Sequence, residues 1–213
     1  MSFSTITVLF TMAFASVIGM WRIHRLSAAL QWTTLFVSIT LVEQTIAIVL
    51  PYHGYTNFPI FHVYAIVTVV LYYFIYKNII GNLSSWKVVR FLFLVLFILS
   101  IANTLFIQGI FAFPSLSINA QSIVMLICCF IFYTEIFLNK SDTRLWTRSL
   151  FWLNSGFFVY HLTTFLVWAI MNYLIQNNID VKTVVWLTIP FNIVFYLSLG
   201  VALLLEDQKH EWK

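Results

Sequence analysis

Apolar residues run in seven long stretches along this chain, at about 4–21, 28–50, 58–80, 88–112, 118–138, 150–175 and 183–205, separated by short polar or charged segments. Each stretch is close to the roughly 20 helical residues needed to cross a hydrocarbon layer about 30 Å thick. A closed β-barrel is the other way to satisfy every backbone group in lipid, and it would show alternating segments of roughly ten residues. The run from Val88 to Ile101 does not alternate. The pattern predicts an all-α polytopic membrane protein: residues 1–213 form one seven-transmembrane-helix bundle. Its connections are short, so consecutive helices should be antiparallel neighbours.

Polar residues recur on single faces of these predicted helices. In the sixth stretch Asn154, His161, Thr164, Trp168 and Asn172 are spaced by seven, three, four and four residues, which at the helical period keeps them within roughly an 80° arc. Such a stripe faces protein, because a polar side chain against acyl chains is costly. The fifth stretch carries Gln121, Met125, Cys128, Phe132 and Glu135, the fourth Ser100, Asn103, Thr104 and Gln108, the second Thr33, Thr40 and Gln44, and the seventh Thr188, Asn192 and Tyr196. The first has fewer large polar groups and is expected to pack peripherally.

Composition strengthens the membrane reading. With 62% hydrophobic, 19% aromatic and 8% charged residues, too little polar material remains to cover a water-soluble surface. Charge then sets an orientation. Arg22, Arg25, Lys77, Lys87, Arg90, Lys140, Arg144, Arg148, Lys209 and Lys213 fall on one side of the ladder and only Lys182 on the other. Lys and Arg stay on the cytoplasmic side during insertion, so the N-terminus is expected outside and the C-terminus in the cytoplasm. Trp21, Trp32, Trp86, Trp146 and Trp152 near inner ends, with Trp168 and Trp186 toward outer ends, fit an interfacial belt. The stretch Ala13-Phe14-Ala15 resembles a signal-peptidase site, but no basic residue precedes the first apolar segment and two follow it, so a retained helix is expected. The net charge of +4 suits anionic inner-leaflet lipid and carries no nucleic-acid signal. Cys128 and Cys129 are adjacent on one helix, a poor geometry for a mutual disulfide, and are read as packing residues.

By depth, most of the large polar groups lie in the half of the membrane nearer the N-terminus. Glu43, His62, Tyr64, Asn103, Gln108, Gln121, Asn172 and Asn192 fall at similar levels, with His161 near mid-membrane and Trp168 at the rim. These ten residues are the candidate ligand contacts of a polar, aromatic-rimmed chamber open to the outside. The competing role is interhelical bonding, worth about 0.6–2 kcal/mol per contact. Glu43 is the sharpest single residue. No Lys or Arg lies well inside a span, so a charged carboxylate there pairs with His62, His161, water or a ligand. Glu135, near Lys140, reads as an interfacial carboxylate.

Several chemistries are excluded. The last span has no Lys for a retinal Schiff base; Asp142, Asp180 and Asp207 all lie in loops or the tail; and no His-Glu-x-x-His helix occurs, which removes intramembrane aspartyl and zincin-type proteolysis. Glu43, His62 and His161 have metal-ligand types, but the histidines differ in depth by roughly 10–15 Å of helix rise. No catalytic set, metal site or cofactor is therefore expected.

Two aromatic-rich segments, Phe61-His62-Val63-Tyr64-Ala65-Ile66-Val67-Thr68 with Leu71-Tyr72-Tyr73-Phe74, and Phe151-Trp152-Leu153-Asn154-Ser155-Gly156-Phe157-Phe158-Val159-Tyr160, resemble small uncharacterised seven-helix bacterial integral membrane proteins, some encoded beside sensor histidine kinases. The resemblance implies a sensor or accessory subunit of the bacterial inner membrane whose output passes to a membrane signalling partner such as a sensor kinase. The residues point the same way. An outer chamber without an output domain suits a receptor-like module that binds a small molecule or lipid and conveys a shift to a partner. A small-solute transporter is the alternative, although Pro190 is the only proline well inside a span. An intramembrane lipid-modifying enzyme comes third.

Overall fold

The computed structural model describes residues 3–138, 145–180 and 182–206. Lys140, Asp142, Arg144, Asp207, Lys209 and Lys213 lie outside the described residues. The helices are α1 Phe3–Arg22, α2 Ala28–Tyr52, α3 Phe58–Lys77, α4 Leu83–Ala102, α5 Ser115–Leu138, α6 Ser149–Gln176 and α7 Lys182–Leu205. No strand occurs among the described residues. All seven are long and apolar enough to cross a membrane, and the chain is built as an integral membrane protein. Large side chains such as Phe10, Phe91, Leu94, Ile98, Phe130 and Leu166 point outward, an arrangement that only lipid accommodates.

Helix ends differ from the apolar stretches where local chemistry takes over. The fourth helix starts at Leu83, about one turn earlier than apolarity suggests, because the Asn82 side chain accepts the Ser84 N–H at 2.8 Å and caps the first turn. Glu135 adds to this corner by accepting the Gly81 and Asn82 amides at 3.1 and 3.4 Å. At its other end α4 passes into a π turn, Asn103–Ile107, closed by the Gln108 N–H on the Asn103 carbonyl at 3.0 Å. Gly109 then takes a positive φ of 67°, which glycine adopts without steric cost, and the chain turns back into α5.

Each helix packs on its neighbours in sequence, and α1 also packs on α7, so the seven form a closed ring; α2 meets α7 and α3 meets α5 across the interior. The first helix is therefore not peripheral. Met12, Ala15 and Ile18 are buried, Ser16 and Ser38 share a hydrogen bond of 2.7 Å, and Gly19 lies directly against Thr34. Small residues substitute for large polar ones at this seam, since close backbone approach is what binds helices in lipid.

Aromatic rings fill the middle of the ring of helices. Phe36 of α2 touches Tyr72 of α3, Phe157 of α6 and Phe195 of α7, with centroids 5.1, 6.0 and 6.3 Å apart. Such pairs contribute about 0.5–1.5 kcal/mol each beyond their buried area. Toward the α1–α2, α3–α4 and α5–α6 connections, Tyr76 donates to the Asn154 Oδ1 at 2.9 Å beside Cys129. This end also gathers Arg22, Arg25, Lys77, Lys87, Arg90 and Arg148. There the Arg22 guanidinium donates to the Leu204 carbonyl and, at 2.7 Å, to that of Glu206, tying α1 to the end of α7.

Candidate functional site

The ten candidate residues separate into distinct settings. Five converge on the connection between α4 and α5. Asn103 donates from Nδ2 to the Gln108 Oε1 and the Ser117 Oγ, both at 2.9 Å. Gln108 in turn donates to the Ser115 Oγ at 2.9 Å, and Asn172 of α6 donates to that same hydroxyl at 2.8 Å and to the Phe113 carbonyl at 2.9 Å. His62 of α3 reaches the Ala112 carbonyl through Nε2 at 2.9 Å and Thr104 through Nδ1 at 2.9 Å. A carbonyl only accepts, so Nε2 carries a hydrogen. Trp168 lies over Phe113 with centroids 5.6 Å apart. These side chains direct their donors at one another and at the loop backbone, and so hold segment 108–117 onto the bundle.

That latch has a measurable consequence. His62→Phe keeps the ring but strands the Ala112 carbonyl, and is expected to cost about 1 kcal/mol and to speed amide hydrogen exchange within 108–114. Unchanged exchange there would show that His62 does not hold the segment.

Two more candidates sit deeper. Gln121 donates to the Thr68 Oγ at 2.7 Å, joining α5 to α3. His161 faces the Ser122 Oγ at 3.1 Å through Nδ1, and Ser122 spends its own hydrogen on the Ile118 carbonyl at 3.0 Å. Nδ1 is then the donor, which leaves Nε2 without a partner, among the rings of Tyr72, Phe157 and Tyr160. Asn192 is apart from all of these and donates to the Thr188 carbonyl of its own helix at 2.9 Å.

Glu43 and Tyr64 share the remaining setting, a crevice of about 320 Å³ between α2 and α3. Ser38, Ile39, Val42 and Ile46 line it from α2 and Ile60, Val63 and Val67 from α3. It opens on the outer surface of the bundle, where Val42, Ile46 and Val63 are exposed. Glu43 is only 7% exposed. Its Oε2 accepts the amide of Gln44 at 2.9 Å, while Oε1 meets no hydrogen-bond partner. Tyr64 shares a hydrogen bond of 2.7 Å with Thr40. Tyr160 and Tyr196 lie within electrostatic reach of the Glu43 carboxyl. Counting back along α2, about 14 Å of helix separates Glu43 from the end at Tyr52.

Sequence reading missed Ser38 in the lining of this crevice and Tyr160 within electrostatic reach of Glu43. Tyr160 precedes His161 and so falls about 100° off the polar stripe of α6; the signal was the cluster of tyrosines at matching depth on α3, α6 and α7. Among the described residues no group of three or more His, Cys, Asp or Glu side chains could hold a metal ion. No protein-family model, curated protein or solved structure matches the chain.

Proposed function

We propose that the protein is a receptor-like module of a bacterial cytoplasmic membrane, its basic end inward, that takes a small amphiphile from the bilayer into the α2–α3 crevice and passes the change to a membrane partner such as a sensor kinase. One observation carries this reading. Glu43, a buried carboxyl with one oxygen that meets no hydrogen-bond partner, is among the residues lining an otherwise apolar cleft that opens on the outer surface of the bundle. An unpaired polar atom in a low-dielectric setting is costly unless something binds it, and pockets of a few hundred Å³ with one convergent polar group are the usual form of a small-ligand site. The route to output is short. α2 packs on α1, α3 and α7, so spreading α2 from α3 shifts packed neighbours, and packed interfaces respond in discrete steps.

The test is thermal unfolding of the chain in nanodiscs with a panel of dodecyl amphiphiles of different head groups. At least one should raise the unfolding temperature, by mass action on the folded state, and Val67→Trp, which fills the cleft, should remove the shift. A panel that leaves wild-type protein unmoved would end the proposal.

A further inference from the structure

We infer that the outward face of α4, at the basic end of the bundle, is a binding site for one anionic glycerophospholipid, its phosphodiester held by Lys87 and Arg90 and an acyl chain laid along Phe91, Leu94 and Ile98. The inference is independent of the α2–α3 crevice and goes beyond the receptor-like reading. It starts from helical spacing. At about 100° per residue, Lys87, Phe91, Leu94 and Ile98 fall within roughly a 60° arc, and Arg90 stands beside that arc. Trp86 and Phe93, further round on the same side, meet Tyr73 of α3 with centroids 5.4 and 6.1 Å away, so Arg90 flanks the α3–α4 seam. Lys87, Arg90, Phe91, Leu94 and Ile98 are all exposed. Val89 and Leu96, on the opposite face of the helix, are buried. Two cations thus stand directly above an apolar strip that is turned to lipid.

Neither cation is already neutralised. Lys87 and Arg90 make no hydrogen bond or ion pair to a described residue, and the carboxylates described at this end are committed elsewhere: Glu135 accepts the Gly81 and Asn82 amides, and Glu206 the Ser149 hydroxyl. Depth suits a phosphate. Trp86 marks the interfacial level, Arg90 lies about 6 Å of helix rise beyond it, and both long side chains reach back toward the head groups. Residues three apart on a helix have Cβ atoms about 5–6 Å apart, close enough for both to grip one phosphate, the guanidinium through its fork of N–H groups and the ammonium as a point charge. Charge then selects the lipid. A zwitterionic head group brings its own cation to a place that already holds two, whereas an anionic one brings only the counter-charge. The apolar strip below favours a phosphate carried on acyl chains over a soluble one.

The experiment is native mass spectrometry of the full chain released from nanodiscs containing equal amounts of phosphatidylglycerol and phosphatidylcholine. Wild type is expected to retain one phosphatidylglycerol, preferred over phosphatidylcholine by about tenfold or more, since each Lys or Arg near the membrane surface adds several-fold to the affinity for anionic lipid. Lys87→Gln with Arg90→Gln should lose most of that preference, and the charge-conserving swap Lys87→Arg with Arg90→Lys should keep it. Arg25→Glu removes the same net charge from the exposed α1–α2 connection and should also keep it. All variants are checked for an unchanged unfolding temperature in phosphatidylcholine. No preference in wild type, a preference that survives Lys87→Gln with Arg90→Gln, or an equal loss in Arg25→Glu overturns the α4 site. Displacement of the retained lipid by glycerol 3-phosphate would assign the two cations to a soluble phosphate and overturn the lipid assignment.

Discussion

Gly19→Ala is expected to destabilise the folded bundle by about 2 kcal/mol, and Thr34→Ala in the same chain to return most of that loss. Two effects compete. Alanine is the better helix former by about 1 kcal/mol, so propensity alone predicts a gain. Packing decides otherwise. A Cβ on Gly19 would stand 2.4 Å from the Thr34 Oγ, 2.7 Å from its Cγ2 and 3.0 Å from its Cβ. Rotating Thr34 exchanges one clash for the other, since both branches are already too close, so α1 and α2 must separate. Overpacking of this kind costs about 1–3 kcal/mol after local relaxation. Thr34→Ala removes both branches and leaves only the tight Cβ contact. A double-mutant cycle in unfolding free energy measures the coupling. A Gly19→Ala chain as stable as wild type, or one that Thr34→Ala fails to relieve, would mean the α1–α2 seam is not closed as described.

Asn154→Leu should cost about 2 kcal/mol, through bonds that no single helix could satisfy. Asn154 is fully buried. Its Oδ1 accepts from Tyr76 of α3 at 2.9 Å and its Nδ2 donates to the Cys129 carbonyl of α5 at 3.3 Å. Leucine has similar volume, so the loss is polar. It strands the Tyr76 hydroxyl with only the Cys129 sulfur, 3.2 Å away, as a weak partner. A buried group left unsatisfied costs about 1–3 kcal/mol, whereas replacing both partners with apolar groups is close to neutral. Adding Tyr76→Phe should therefore recover stability relative to Asn154→Leu alone, as measured by unfolding in the same nanodiscs. Additive losses in the double variant would refute the role of this pair.

Both sites show how far a one-dimensional pattern reaches. The stripe of α6 placed Asn154, His161 and Thr164 toward protein, and all three are buried. The same stripe did not distinguish Asn154, bonded on both sides, from His161, which keeps one bare nitrogen. Helix ends were legible only approximately. Apolarity reports the length of chain in hydrocarbon, while backbone hydrogen bonding continues beyond it, and so α4 takes in Trp86 and Lys87. At its other end the π turn at Asn103–Ile107 is held by His62 of α3 and Ser117 of α5, partners that an apolarity pattern does not show.

What the sequence by itself determined is the solvent and the count: seven helical spans, apolar outward, with basic residues at one end, because lipid penalises every exposed polar group independently of its neighbours. The tertiary structure alone decided which polar groups find partners. Donors and acceptors at similar depth are interchangeable in a linear pattern, and only the order of helices in the closed ring brings Asn103, Gln108 and Asn172 together over one loop while leaving a buried oxygen of Glu43 without a partner.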